Sequence, residues 1–158
     1  MAATTYDRGR LKGTTGTQGD FTLANRFAME IDGVIVNGIH SVEGFESETE
    51  IIEYKDGESG TVQTRPGQHK PVKITITKDW SGTSEFYKWR KAVIDGKTER
   101  KSVSIIFHND ASEESGRINI FNAWPTSWTG PVLNAKTSAQ ATEKITISAE
   151  TFELKAKG

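Results

Sequence analysis

Apolar and polar residues alternate along most of this chain, which is the pattern of strands that bury one face. The alternation recurs in six stretches, residues 27–36, 39–55, 72–77, 103–107, 118–123 and 142–154. Asp32-Gly33 in the first stretch is a turn sequence and predicts a hairpin there. The last stretch changes parity near Glu150-Thr151, which predicts a bulge or a strand that passes from one sheet to another. We therefore expect a mainly β protein, built as two packed antiparallel sheets or as a β-barrel.

One segment departs from this alternation and has the spacing of a helix. Phe86, Trp89 and Val93 recur at i, i+3 and i+7, which places them on one face of an amphipathic helix. Thr83 or Ser84 is suited to cap its N-terminus, because a hydroxyl accepts a hydrogen bond from the first turn. The spacing predicts one helix flanking the β structure, with Phe86, Trp89 and Val93 as core anchors.

Trp124-Pro125 is expected to end the strand over residues 118–123, because proline has no N–H to donate to a ladder. Trp124 itself is expected in the core. The following residues, 126–141, then form a polar loop that contains Trp128.

Residues 41–76 predict a long β-meander with a projecting polar tip. Its first strand runs to a turn at Asp56-Gly57, and the chain returns through residues 61–64. A second turn is expected at Arg65-Pro66-Gly67, because proline and glycine favour turn dihedrals. The meander then ends in the strand over residues 72–77.

Charge is unevenly distributed along this nearly neutral chain. Residues 45–58 carry six acids and one base, whereas residues 65–101 carry ten bases and four acids. This asymmetry suits head-to-tail association between copies. Glu46, Glu48 and Glu50 share one face of the predicted first strand; this row of acids is solvated, lines a channel or meets a basic partner.

Composition excludes several classes of protein. The 158 residues suit one domain, and 20 basic against 21 acidic residues argue against a general nucleic-acid binder. Cysteine is absent, which excludes disulfides and thiolate metal sites. The N-terminus has no apolar signal region, and no apolar run is long enough to span a membrane. We expect synthesis in the cytoplasm without a signal peptide, a polar tail over residues 1–20, and a single β domain over residues 21–158.

The search for catalytic chemistry finds no motif. His40, His69 and His108 are isolated in sequence and have no carboxylate at ligand spacing. Glu46, Glu48 and Glu50 point the same way on a regular strand, so they do not flank a glycosidic bond. We therefore predict no catalytic, cofactor or metal site.

Several short motifs, each weak alone, occur in a characteristic order between residues 27 and 154. They are residues 27–33, Ser41-Val42-Glu43-Gly44-Phe45, residues 50–57, Arg65-Pro66-Gly67, the helix residues Phe86 and Trp89, Asn122-Ala123-Trp124-Pro125 and residues 142–147. In this order they resemble the tube proteins of contractile phage tails, and more particularly those of phage-tail-like contractile injection systems.

The resemblance implies a tail-tube fold that assembles as a homohexameric ring, with rings stacked into a hollow tube. It implies as partners other copies of the chain, a sheath protein, baseplate and tube-initiator proteins, and cargo effector or DNA in the lumen, and it implies no cofactor and no enzymatic activity. The final location would be a phage tail or an extracellular or cell-associated contractile particle. Glu46, Glu48 and Glu50 would line the lumen or form a charged strand face. The implied inter-ring contacts are Glu53, Tyr54, Lys55, Asp56, Gly57, Arg65, Pro66, Gly67 and Lys70.

A second interpretation is a β-sandwich binding module that grips a carbohydrate or a protein through Trp128 and Tyr54. An enzyme is a third. A mass measurement separates the first two, because a tube subunit forms rings or tubes at high concentration whereas a binding module stays small.

The N-terminal tail generates a testable prediction. Residues 1–20 are rich in Thr and Gly and have too little apolar area to order themselves, so we expect them to become ordered only on assembly. Their amide hydrogens should exchange fast in isolated subunits and slowly in tubes. Strong protection in the isolated subunit would contradict this expectation.

Overall fold

A computed structural model describes residues 26–156 of the chain; the predicted tail over residues 1–20 lies outside them. The elements, in chain order, are β1 Phe27–Ile31, β2 Val34–Val36, β3 Ile39–Glu43, β4 Thr49–Lys55, β5 Val62–His69, β6 Val72–Asp79, α1 Glu85–Ile94, β7 Lys101–His108, β8 Glu114–Thr129, β9 Thr142–Ala149 and β10 Thr151–Ala156. The described part of the chain contains no helix long and apolar enough to cross a membrane.

Two antiparallel sheets share the long strand β8. Its first half lies between β7 and β10, and β1 and β2 continue that sheet beyond β7. Its second half pairs with β9, which is followed by β6 and β3. These strands do not close a barrel within residues 26–156, so the two-sheet form of the predicted fold is confirmed.

The core consists of apolar side chains from alternate positions of the central strands and from α1. The inward face predicted for residues 72–77 is confirmed, since Val72, Ile74 and Ile76 are all buried. Other fully buried side chains come from β1, β7, β8 and β9, namely Met29, Val103, Ile105, Ile120, Ile145 and Ile147. Burial of alternate residues is what decides which face of each strand points inward.

The hairpin predicted at the start of the described chain is confirmed. Asp32 and Gly33 connect β1 to β2, and both have positive φ, at 49° and 81°. Such dihedrals are those of the tight turn whose twist matches the flanking strands.

Strand β8 does not end at Trp124-Pro125, as the sequence had predicted, but continues to Thr129. Pro125 lies opposite Ile147 of β9, and the described residues place no strand on the other side of this half of β8. A proline is tolerated there because an edge strand does not need every N–H for its ladder. The polar loop is therefore residues 130–141 rather than 126–141.

The parity change near Glu150 is confirmed as a strand that passes between sheets. Strand β9 pairs with β6 and with the second half of β8, whereas β10 pairs with the first half of β8. The chain thus crosses from one sheet to the other within one residue.

Helix α1 begins and ends as its sequence predicted. The Ser84 hydroxyl caps its N-terminus by accepting a hydrogen bond from the Tyr87 amide at 3.0 Å, and Gly96 takes a positive φ of 83° beyond its C-terminus. Phe86 and Trp89 are buried, with 1% and 4% of their surface exposed. The other two residues expected as anchors are half-buried, Val93 on α1 and Trp124 on β8.

A buried carboxylate ties the helix cap to both neighbouring strands. Glu143 of β9 is fully buried, and its Oε2 accepts hydrogen bonds from the Ser84 hydroxyl and from the Trp128 indole N–H, the latter at 2.8 Å. One side chain therefore links α1, β8 and β9.

The burial of Trp89 gives a prediction about stability. Trp89→Ala should lower the free energy of unfolding by about 3–5 kcal/mol, because it removes a large buried side chain and leaves a cavity under α1. Urea unfolding of the unassembled subunit measures this change. Ile94→Ala is the matched control on the same helix, because Ile94 is 66% exposed, and it should change stability little. Equal stability of the two variants would contradict this assignment of the buried helix face.

Candidate functional site

Strands β4 and β5 form a hairpin that projects from the body of the protein. They pair only with each other among the described strands and make a two-stranded sheet of their own. Every residue from 50 to 66 is exposed. We call residues 49–69 the projecting hairpin.

The projecting hairpin is separated from β3, whereas the sequence had predicted one strand over residues 39–55. Gly44 breaks that strand with a φ of 101°, and a Cβ at this position would lie 2.3 Å from the Lys73 carbonyl oxygen. Only glycine fits so close an approach of two backbones. Glu46 and Glu48 therefore precede β4, and only Glu50 of the predicted acidic row lies in a strand. All three side chains are exposed.

The turn predicted at Arg65-Pro66-Gly67 is also wrong, because these residues lie inside β5. Arg65 and Pro66 are paired with Ile52 and Ile51 of β4. Gly67 sits at a register shift, where a Cβ would lie 3.1 Å from the Glu50 carbonyl oxygen. Pairing across the hairpin thus overrides the local preference of Pro-Gly for a turn, and the glycine accommodates a β-bulge.

The base of the projecting hairpin is fastened by polar contacts. Lys70 Nζ lies 2.7 Å from Glu48 Oε1, and the Lys70 amide donates to the Glu48 carbonyl oxygen at 3.0 Å. Thr49 and His69 share a side-chain hydrogen bond of 2.8 Å. The hydrogen bond and the charge of Glu48 raise the pKa of Lys70, and Glu50 and Glu46 add to this effect. Of the three acids predicted as a row, Glu48 thus pairs with Lys70, and the other two act on it through their charge.

Above this base, the projecting hairpin exposes apolar side chains that its own structure does not cover. Ile51 is 68% exposed, and Tyr54 and Val62 are each 46% exposed. A two-stranded hairpin alone is marginally stable in water, so contact with another molecule would stabilise it. The predicted contact residues Glu53, Lys55, Asp56 and Gly57 lie on the same hairpin, and Lys70 lies at its base. The hairpin therefore exposes apolar and charged side chains together.

A second exposed apolar surface lies in residues 130–141, which we call the apolar loop. Val132 is 88% exposed and Leu133 is 78% exposed. Sequence reasoning had treated this segment as polar and missed both residues. The only signal for them was two adjacent large aliphatic residues in a loop that has no strand alternation.

The two aromatic residues of the binding-module interpretation do not lie together. Tyr54 is on the projecting hairpin, where its hydroxyl donates to Gln63 Oε1 at 2.8 Å. Trp128 packs against Trp80 and Tyr87 on the body, and its indole N–H is bound to buried Glu143. They do not form one ligand platform.

The histidines lie apart in the structure, and each has a local partner. His40 contacts Asp79, His69 contacts Thr49, and the His108 amide donates to the Arg26 carbonyl oxygen at 3.0 Å. Among residues 26–156, no group of three His, Asp or Glu side chains is placed to hold a metal ion. The feature that stands out among the described residues is the projecting hairpin, whose residues 50–66 are all exposed.

Comparison with known proteins gives this surface its context. The family model of the T4-like virus tail tube protein gp19 matches residues 23–153. No curated protein sequence matches the chain. The structure is similar to a chain of the extracellular contractile injection system PVC sheath–tube complex in its extended state, with a TM-score of 0.80 and 28% identity over 92% of this chain and 98% of that one.

Two further cryo-EM structures contain similar chains. One is the tube-terminating cap of the anti-feeding prophage, with a TM-score of 0.78 and 29% identity over 87% of this chain and 92% of that one. The other is the PVC sheath/tube terminator in its extended state, with a TM-score of 0.76 and 30% identity over 85% of this chain and 96% of that one. The family model matches most of the chain, and the two-sheet body has the fold of these similar chains. The chain therefore belongs to the T4-like virus tail tube protein family.

Proposed function

We propose that this chain is the structural subunit of the inner tube of a contractile injection system or contractile tail, in which six copies close a ring and rings stack around a lumen. The observation that carries this proposal is the projecting hairpin, which exposes apolar residues and has no partner strand among the described residues. Family membership and the likeness to a chain of a sheath–tube complex support it. The role is structural and requires no catalytic turnover.

Open sheet edges favour closure of the ring. Strands β2, β3 and β10 each have one paired side among the described strands. Val34 and Ile35 on β2 are 64% and 58% exposed. Unpaired edges attract further strands, and a closed ring of subunits removes them. Ring closure then rests on strand pairing and apolar burial.

Stacking of rings rests on the projecting hairpin. The hairpin pairs with no other described strand and is exposed throughout residues 50–66, so it is available to contact a neighbouring ring. Each exposed ion pair that it forms contributes only about 0–1 kcal/mol, and repetition around a ring multiplies that contribution. Because salt screens exposed charges, stacking should weaken with ionic strength more than ring closure does.

The proposed tube would meet different partners in its lumen, on its outer surface and at its ends. The exposed acids Glu46, Glu48 and Glu50, of which Glu48 is paired with Lys70, would form a charged face or line the lumen through which cargo effector or DNA passes. A sheath protein would surround the tube, and baseplate and initiator proteins would start it. The chains of the PVC sheath–tube complex and sheath/tube terminator, which are similar to this one, support these partners.

Shortening the projecting hairpin tests the proposal. Residues 53–64 are replaced by Asn-Gly, which joins Ile52 to the directly opposite Arg65 and keeps the fastened base. We expect rings of wild-type mass that no longer stack, because the docking element is gone while the sheet edges remain. Native mass spectrometry measures ring closure, and negative-stain electron microscopy measures tube length.

The wild-type chain in a salt series is the control for this experiment. Rising salt should shorten wild-type tubes while the ring mass stays constant. If the shortened variant forms tubes of normal length, the projecting hairpin is not the contact between rings. The proposed function itself fails if the wild-type chain forms neither rings nor tubes.

A further inference from the structure

We propose that the projecting hairpin of one subunit docks on the apolar loop of a subunit in the next ring. This inference rests on the proposed function, because it names the partner surface for the stacking of copies. It follows from the position, the apolar exposure and the charge of the two surfaces.

The two surfaces lie at opposite ends of the same sheet. The chain leaves the projecting hairpin and enters β6 at Val72, which is paired with Ala149; the far end of β6, Asp79, is paired with Thr142. The apolar loop leads directly into Thr142, and the Trp80 amide donates to the Ala141 carbonyl oxygen at 2.9 Å. Eight paired residues separate the ends by about 24 Å. A second copy shifted along the strands therefore brings its hairpin to the loop of the first.

Both surfaces expose apolar side chains that a contact would cover. Val132 and Leu133 border an open groove of about 490 Å³, which Ala139 and Ala141 also line. Ile51 and Val62 stand on the projecting hairpin with 68% and 46% of their surface exposed. Two different patches at opposite ends of one chain allow head-to-tail contact between copies. Such a contact can repeat along an axis without closing, as a tube of stacked rings requires.

The charges of the two surfaces are opposite. Glu50, Glu53, Asp56 and Glu58 outnumber Lys55 and Arg65 on the projecting hairpin. Lys136 in the apolar loop and Lys144 beside it are exposed, and residues 130–142 contain no acid. Within the described part of the chain, none of these charges forms an ion pair with another residue. They are free to pair across an interface.

A neighbouring groove at the same end of the sheet fits the hairpin less well. It is lined by Ile35 and Gly38 but also by Asp79 and Glu85, against a single lysine, Lys78. Its acidic excess would repel the acidic hairpin, because like charges across an interface are unfavourable. The charges of the two grooves therefore favour the apolar loop as the docking site of the hairpin.

Charge reversal with rescue tests this pairing. The first variant, Lys136→Glu with Lys144→Glu, reverses the charge of the loop. The second, Glu53→Lys with Glu58→Lys, reverses two charges of the hairpin. A third variant combines all four substitutions. Each reversal alone should lower the ring-stacking association constant at low salt at least about tenfold, because several ion pairs per ring become repulsive. The combined variant should return to within about threefold of wild type. Sedimentation and electron microscopy measure stacking, and native mass spectrometry checks that rings still close.

Lys88→Glu with Lys97→Glu is the matched control, because it reverses two exposed lysines on and after α1. It should leave stacking unchanged. Normal stacking of the loop variant, or no recovery in the combined variant, would overturn this inference. Normal stacking of the shortened variant would also overturn this inference, whereas the proposed function fails only if the wild-type chain forms neither rings nor tubes.

Discussion

The architecture depends on one strand that belongs to two sheets. At Asn122, β8 adopts a positive φ of 53° and turns from its pairing with β7 and β10 to its pairing with β9. Helix α1 lies against this junction, where the Arg90 guanidinium donates to the Pro125 carbonyl oxygen at 3.3 Å. The fully buried Glu143 links the helix cap to the same region. Since sheets and helix meet at β8, the body behaves as one packed unit from which other segments project.

This packed body explains why the proposed assembly surfaces lie at its two ends. The sides of β6 and β9 are occupied by pairing and their apolar faces by the core, so little of either strand is left for a partner. The connections at the ends of the sheet are not held by strand pairing or by the core in this way. One of these connections is the projecting hairpin, whose residues 50–66 are all exposed, and another is the apolar loop. A packed body with exposed contact surfaces at both ends suits a subunit whose proposed role is to stack along the axis of a tube.

Sequence patterns predicted the parts of the fold that burial determines. The alternation in β1 and β6, the cap at Ser84 and the parity change at Glu150 each follow from whether a side chain meets the core or a helix end. The predictions failed where pairing overrides local chemistry. Gly44 ends a strand because a neighbouring backbone passes close by, and Pro66-Gly67 stays in a strand because β4 lies opposite.

The site was predictable only in part, for the same reason. The turn sequence at Asp56-Gly57 and the scarcity of apolar anchors indicated a projecting polar tip within residues 41–76, but the second expected turn lies inside β5. The exposure of Val132 and Leu133 was not predictable, because a loop has no periodicity that separates an inner from an outer face. In the proposed contact, the surface that receives the hairpin belongs to a second copy of the chain, and the only sign of it in a single sequence is complementary charge.

The most direct test of the account is a cryo-EM helical reconstruction of tubes assembled from this chain alone. Side-chain density around residues 51–62 would identify every neighbour of the projecting hairpin. The account predicts that the hairpin crosses to the next ring and that Ile51 and Val62 are covered by another copy there. A hairpin folded against its own ring, with these side chains still facing solvent and the rings joined by other segments, would contradict it.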